Sequence, residues 1–308
     1  MKHDYRQVQW DDSVADDCRQ LIRLTVREDL GRLYDWTTLA LVPAEAQASA
    51  VIAARKPGVV AGVRAIELAV HEYDPRLTVM PHVADGDRVV AGGAIAELSG
   101  SARSMLAAER PILNLLGHMS GVATLARAFV DAVAGTKARI YDTRKTLPGY
   151  RLLDKYAVRC GGATNHRTGL FDGILIKDNH LALGAHEAGT AHYTPAVAVR
   201  RAREFLAGLD VQQADQPLLV EIEVDGLEAL PEVLAEEPDV VLLDNFPVAA
   251  LRAAVAMRDA ASPGVELEAS GGIRLENVAE IARAGVDRIS VGGITHSAAW
   301  FDVGLDWR

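Results

Sequence analysis

Cysteine is almost missing from this chain. Its 308 residues include only Cys18 and Cys160, so neither a disulfide framework nor a four-thiolate zinc site is available. Aromatic residues make up only 5% of the sequence. No uninterrupted apolar run approaches the roughly 18 residues of a membrane span. Even the window Val59 to Val70 carries Arg64 and Glu67. Positive charge is short as well: 32 Lys and Arg stand against 42 Asp and Glu, and the net charge of −10 excludes a general nucleic-acid or anionic-membrane surface. The opening Met1 to Ser13 is charged and lacks the apolar centre of a signal peptide. There is no Gly-x-Gly-x-x-Gly after a strand, no Walker A loop, no Gly-x-Ser-x-Gly elbow and no His-Glu-x-x-His helix. These absences lead to the expectation of a soluble cytoplasmic protein in a reducing compartment.

What is present is apolar material, 49% of the residues, enough for one large core or two moderate ones. The first hundred or so residues read as mixed α and β. Asp17 to Leu30 has helical spacing with Gly31 as its stop, and Ala48 to Ala54, Val59 to Gly62 and Leu77 to Val83 are strand-sized runs. Ser104 to Val133 reads as helix, with Gly117 and Gly121 expected to interrupt it. Beyond residue 137 strands and amphipathic helices alternate. The strands are Arg139 to Asp142, Gly173 to Ile176, Leu218 to Val224, Val240 to Leu243, Val265 to Ala269 and Arg288 to Val291. Such alternation calls for a parallel sheet with right-handed crossovers, either open or closed into a barrel.

The strand ends favour the barrel. They carry Thr143-Arg144-Lys145, Lys177-Asp178-Asn179, Glu223, Asp244-Asn245, Ser270-Gly271-Gly272 and Gly292-Gly293. Polar residues at the ends of many strands are what a barrel's catalytic rim requires, whereas a doubly wound sheet gathers its ligands at one switch point. Charge is concentrated here too. Residues 137–180 hold nine Lys or Arg against four Asp, a basic window in an acidic chain that suits a small anionic substrate.

Arg151, Lys155 and Arg159, spaced by four, read as an ordinary solvated helix face. Lys177, closing an apolar run, needs either an ion-pair partner or a bound anion. The glycine turns at 271–272 and 292–293 are read as tight turns when taken alone, and as phosphate cradles when taken with the basic window. Glu221 and Glu223 share one face of a strand, and Glu223 with Asp244 supplies the carboxylates for a divalent cation or for sugar hydroxyls. Cys160, with nothing to activate it, reads as a small buried residue.

Taken in order, Asp142-Thr143-Arg144-Lys145-Thr146, Gly161-Gly162-Ala163-Thr164-Asn165-His166-Arg167 and Leu175-Ile176-Lys177-Asp178-Asn179-His180 closely resemble the quinolinate phosphoribosyltransferase family of NAD biosynthesis. Glu221-x-Glu223-Val224-Asp225, Leu243-Asp244-Asn245-Phe246, Ser270-Gly271-Gly272 and Gly292-x-x-Thr295-His296-Ser297 continue the resemblance, which runs from about Glu28 to Asp306. The stretch from Gly31 to Asp35 departs from it, since the family more often has fewer residues between this Gly and Asp.

The resemblance implies an α/β fold. An N-terminal α/β sandwich would span residues 1–115 and an incompletely closed α/β barrel 116–297, with residues 298–308 packing back on the first domain. It implies transfer of phosphoribosyl from phosphoribosyl pyrophosphate to quinolinate with decarboxylation, with Mg2+ as cofactor. It assigns Arg144, His166, Arg167 and Lys177 to the dicarboxylate, and Arg110 to the neighbouring subunit's site in a homodimer. Thr143, Lys145, Glu223, Asp244, Ser270, Gly271, Gly272, Gly292 and Gly293 fall to the phosphoribosyl donor, with Glu223 and Asp244 toward the metal.

Overall fold

The computed structural model describes residues 4–32, 34–187, 193–209 and 217–308. Leu33, in the stretch that departs from the family pattern, lies outside them, as do Met1 to His3. In chain order the elements are α1 (Asp12–Leu30), α2 (Trp36–Leu41), β1 (Gln47–Ala54), β2 (Gly58–Val59), α3 (Val63–Tyr73), β3 (Thr78–Pro81), β4 (Arg88–Val89), β5 (Ala94–Ser101) and α4 (Ala102–Ala132). There follow β6 (Arg139–Tyr141), α5 (Arg151–Cys160), β7 (Ile174–Ile176), α6 (Asp178–Glu187), α7 (Pro195–Gly208), β8 (Val220–Val224), α8 (Leu230–Ala235), β9 (Val240–Asp244), α9 (Val248–Ala261), β10 (Glu266–Ser270), α10 (Leu275–Arg283), β11 (Arg288–Ser290), α11 (Gly293–His296) and β12 (Val303–Trp307). No described helix is long and apolar enough to cross a membrane.

The chain forms two compact units, each drawn from three segments. One comprises residues 8–128, 145–163 and 294–308, the other 1–7, 129–144 and 164–293. The expected boundary after residue 115 falls inside α4.

The first unit holds an antiparallel sheet in the order β12-β1-β5-β3, with β12 paired to β1 from Ala50↔Trp307 to Ala54↔Val303. Its core includes Ile52, Ile66, Leu98, Met105, Leu116 and Met119. Helix α4 runs unbroken through Gly117 and Gly121, which the sequence reading took for interruptions. These glycines instead let a returning chain lie against the helix. A Cβ on Gly121 would sit 2.3 Å from the Ala299 carbonyl oxygen, and one on Gly117 3.1 Å from that of Phe301. Helix α5 also differs from its reading as a solvated face, because Asp154 and Lys155 are fully buried there and His118 Nε2 lies 2.6 Å from Asp154.

The second unit is a six-stranded parallel sheet in the order β6-β11-β10-β9-β8-β7. Its central strands are apolar and buried from Val240 to Leu243 and at Leu267 and Ile289, as expected of a sheet covered on both faces. Its edges are β6 and β7, and no ladder joins them among the described residues, so the barrel is incompletely closed. Beyond β6, Thr164 bridges Tyr141 in parallel, its amide donating to the Ile140 carbonyl at 2.8 Å.

Candidate active site

In a parallel barrel unit every strand points its C-terminal end the same way, so the residues after each strand gather on one rim. Here that rim receives Thr143 and Arg144 after β6, Lys177 after β7, Glu223 within β8, Asp244 at the end of β9, Ser270 at the end of β10 with Gly271 and Gly272 after it, and Gly292 and Gly293 after β11. Lys145 and Arg110 belong to the other unit. Lys145 is exposed and its carbonyl accepts from Thr295 Oγ1 at 2.8 Å, while Arg110 is an exposed residue of α4 just before Pro111.

The acidic part of the rim is compact. Glu223, Asp225 and Asp244 each offer a carboxylate oxygen, all within 4.8 Å of one another. Asp225, which the sequence places in the Glu221-x-Glu223-Val224-Asp225 motif without a role, joins them one residue past β8. Three partly exposed hard-oxygen donors match what magnesium takes from a protein, one or two carboxylates with the remaining positions left to substrate phosphates and water, so the residues present fit that ion. Lys177 Nζ closes an ion pair with Glu223, one of the two partners its position calls for. Its backbone amide donates to His180 Nδ1 at 3.0 Å.

The turns after β9 and β10 interlock. Asn245 takes a positive φ of 56° and donates through Nδ2 to Asp244 at 2.7 Å. Gly271 has φ 87°, and a Cβ there would meet Asn245 Oδ1 at 2.1 Å, so only glycine fits. Asn277, at the start of α10, donates to the Gly272 carbonyl at 3.0 Å.

The His166-Arg167 segment is held from beneath. Asp142, fully buried, accepts from the His166 amide at 2.8 Å and from Asn165 Nδ2 at 2.7 Å. The Arg167 amide donates to His166 Nδ1 at 2.8 Å, so that nitrogen carries a lone pair and the ring is assigned as the Nε2–H tautomer. Nε2 faces Glu221 at 3.1 Å and Glu268 at 3.6 Å. Arg167, also buried, donates from Nη1 to the Gly173 carbonyl at 3.2 Å.

One layer below the rim lie Tyr5, Glu221, Glu268 and Arg288, all buried. Burial pushes the Glu221 carboxyl up, but His166, Tyr5 and Arg288 outweigh it and hold the group below the ordinary carboxylate range. Glu268 is pushed up to about 7, by burial first and then by the neighbouring Glu221 charge. The Tyr5 hydroxyl is driven far above its ordinary value by burial and by Glu221, and stays protonated. Sequence reasoning did not find Tyr5 or Glu268: a tyrosine near the chain start and an acid inside a strand carry no motif. Cys160 is not activated, since burial raises its thiol to about 12.

Comparison with known proteins agrees with this fold. Residues 122–306 match the family model for the C-terminal domain of quinolinate phosphoribosyl transferase, and residues 35–120 match the N-terminal domain. The class is therefore a phosphoribosyltransferase built on an α/β barrel. The nicotinate-nucleotide pyrophosphorylase (carboxylating) of Mycobacterium leprae is 46% identical over 297 residues, spanning 96% of this chain and 99% of that one. A probable nicotinate-nucleotide pyrophosphorylase (carboxylating) of Bacillus subtilis is 37% identical over 288 residues, 94% of this chain and 92% of the relative. The solved nicotinate-nucleotide pyrophosphorylase of Francisella tularensis superposes with a TM-score of 0.87 at 33% identity, covering 99% of this chain and 100% of that one. This chain belongs to the quinolinate phosphoribosyltransferase family.

Proposed function

We propose that the protein transfers phosphoribosyl from phosphoribosyl pyrophosphate to the ring nitrogen of quinolinate, releasing pyrophosphate and carbon dioxide and forming nicotinate mononucleotide for NAD biosynthesis. The observation that carries this reading is a rim holding both halves of the required chemistry, cations for a dicarboxylate and carboxylates for a developing cation, in a chain of this family.

Arg144, Arg167 and Lys177 bind the two adjacent carboxylates, and guanidinium forks fix the ring so that its nitrogen faces C1 of the ribose. As pyrophosphate leaves, positive charge builds at C1, where Glu223 and Asp244 stabilise it. The Lys177–Glu223 ion pair supports a coupling of the two substrates. An acceptor carboxylate competes for Lys177, and Glu223 is then released toward the donor. Glu223 and Asp244 are the residues to hold Mg2+ with the donor's phosphates. When bound, the ion supplies charge neutralisation of the leaving pyrophosphate.

Thr143, Ser270, Gly271, Gly272, Gly292 and Gly293 offer hydroxyl and amide donors for phosphate oxygens. Once the nitrogen is alkylated, the electron pair of the breaking carbon–carboxylate bond flows toward the pyridinium. Carbon dioxide departs and a solvent proton takes its place, so no protein nucleophile takes part. Lys145, for the donor, and Arg110, for the acceptor site of a partner subunit in a homodimer, enter on the resemblance alone.

Pyrophosphate release measured with quinolinate, with nicotinate and with no acceptor tests the proposal. Release with quinolinate, and at least about thirtyfold less with nicotinate, is expected from the loss of a charge-assisted pair of about 2 kcal/mol. Comparable rates with nicotinate contradict the acceptor. Phosphate binding without turnover contradicts enzymatic function altogether.

A further inference from the structure

The segment from Asp4 to Gln7 precedes the residues matched by the family models, and its side chains contact β6, β8, β11 and the Asn165-His166 stretch. Asp4 accepts from Arg139 Nη1 at 2.7 Å and from the Tyr141 hydroxyl at 2.7 Å, and forms an ion pair with Arg288 Nη1 at 3.2 Å. Gln7 exchanges two hydrogen bonds with the backbone of Asn165, at 2.8 and 3.0 Å. Between them Tyr5, 3% exposed, stacks on the His166 ring with centroids 4.6 Å apart and planes at 26°. Its hydroxyl donates to Glu221 Oε2 at 2.5 Å, the same oxygen that faces His166 Nε2.

We infer that Tyr5 is a positioning residue for acceptor binding, acting through Glu221 and His166 on Arg167. This rests on the proposed function, since it needs Arg167 to hold an acceptor carboxylate.

Glu221 is a fully buried carboxylate whose other oxygen, Oε1, has no hydrogen-bond partner. His166 and the Tyr5 hydroxyl both meet Oε2, and the second donor fixes the position of that oxygen and with it the direction in which Nε2–H points. The ring is then clamped on three sides: by the Tyr5 face, by Glu221 at Nε2 and by the Arg167 amide at Nδ1. Clamping Nδ1 fixes the backbone of Arg167. The far end of that side chain is anchored on the Gly173 carbonyl, and Tyr5 touches this anchor too: a Cβ on Gly173 would lie 2.7 Å from the Tyr5 ring. Tyr5 therefore braces Arg167 at both its backbone and its guanidinium, without being placed to touch a substrate itself.

Tyr5→Phe is the decisive variant, because it keeps the ring stack and removes only the donor to Glu221. Quinolinate affinity measured by calorimetry without donor, and quinolinate KM, should each weaken about tenfold, in keeping with loss of one hydrogen bond to a charged group. The KM for phosphoribosyl pyrophosphate and kcat at saturation should stay within about twofold. Tyr5→Leu, which loses the stack as well, should weaken quinolinate further, and Tyr5→Phe decides the matter where Tyr5→Leu does not fold. A merely structural tyrosine would lower the melting temperature or the active fraction and leave quinolinate affinity per folded molecule unchanged; that result overturns the inference. Failure of the wild-type protein to use quinolinate at all would instead strike the proposed function, so the two failures are told apart.

Discussion

Lys177 and Glu223 show how a single pair can join two halves of a reaction. The resemblance assigns the lysine to the acceptor and the glutamate to the donor, yet in this structure each is the other's counter-ion. Glu223→Gln keeps the shape and removes the charge opposite the ribose cation. We predict that kcat falls about a hundredfold, the weight of one preorganised electrostatic contact, while quinolinate binding by calorimetry is retained or tightened, because Glu223 no longer competes for Lys177. Collapse of quinolinate binding with kcat preserved would reverse the assignment.

A second residue-scale prediction concerns Glu268. With its carboxyl raised to about 7, the folded state keeps a proton that the unfolded chain releases near its ordinary value of 4.5. The stability that Glu268 contributes is therefore fully present below about pH 4.5, falls as pH rises to about 7 and levels off above that. Glu268→Gln removes this dependence, and its stability relative to wild type should grow across that window by about 3 kcal/mol at most. Denaturant unfolding at pH 5 and pH 8 measures it, and parallel profiles for the two proteins contradict it. The rim residues Arg144, Lys177, Glu223 and Asp244 were legible because they break apolar strands with charge. Tyr5 and Glu268 were not, since their roles arise from segments far apart in the chain meeting around His166, which no spacing encodes.

At the scale of elements, the parallel strands were readable because they are short runs rich in apolar residues, most of them buried, that alternate with helices. The helices fared less evenly. Helix α3 follows the strand-like run Val59 to Gly62 with only a positive-φ glycine (Gly62, 113°) between them, so its periodicity merges with the run. Helix α2 has six residues, too few to show a period. Gly117 and Gly121 were misread because a glycine that breaks a helix and one that admits a neighbouring backbone look alike in sequence. The structure makes the distinction testable. Gly121→Ala forces a methyl to 2.3 Å from the Ala299 oxygen and should cost about 3 kcal/mol by overpacking. A lowered melting temperature with both KM values unchanged is expected. A neutral effect on stability would mean that the chain around Ala299 yields freely.

For the whole molecule, the basic window at residues 137–180 was a sound signal for an anion-binding protein and a coarse one for its site. Several of its cations are structural: Lys137 pairs with Asp287, Arg139 with Asp4 and Glu266, and Lys155 is fully buried in α5. Net charge along a sequence does not tell a lysine that waits for substrate from one that ties strands together.

Assembly yields a further prediction. If Arg110 serves the partner's site, Arg110→Ala and Lys177→Ala should each be nearly inactive. Their co-refolded mixture should recover about a quarter of wild-type activity, because half the dimers are mixed and each mixed dimer has one intact site. No recovery, with heterodimers confirmed by native mass spectrometry, places Arg110 outside a shared site.

The central claim, decarboxylating transfer to quinolinate, is tested most directly by stoichiometry. The enzyme is supplied with phosphoribosyl pyrophosphate, Mg2+ and quinolinate carrying 13C in its 2-carboxylate, and all products are quantified by mass spectrometry. The account predicts equal amounts of labelled carbon dioxide, pyrophosphate and unlabelled nicotinate mononucleotide. A mononucleotide that retains the label, or pyrophosphate released without labelled carbon dioxide, would contradict it.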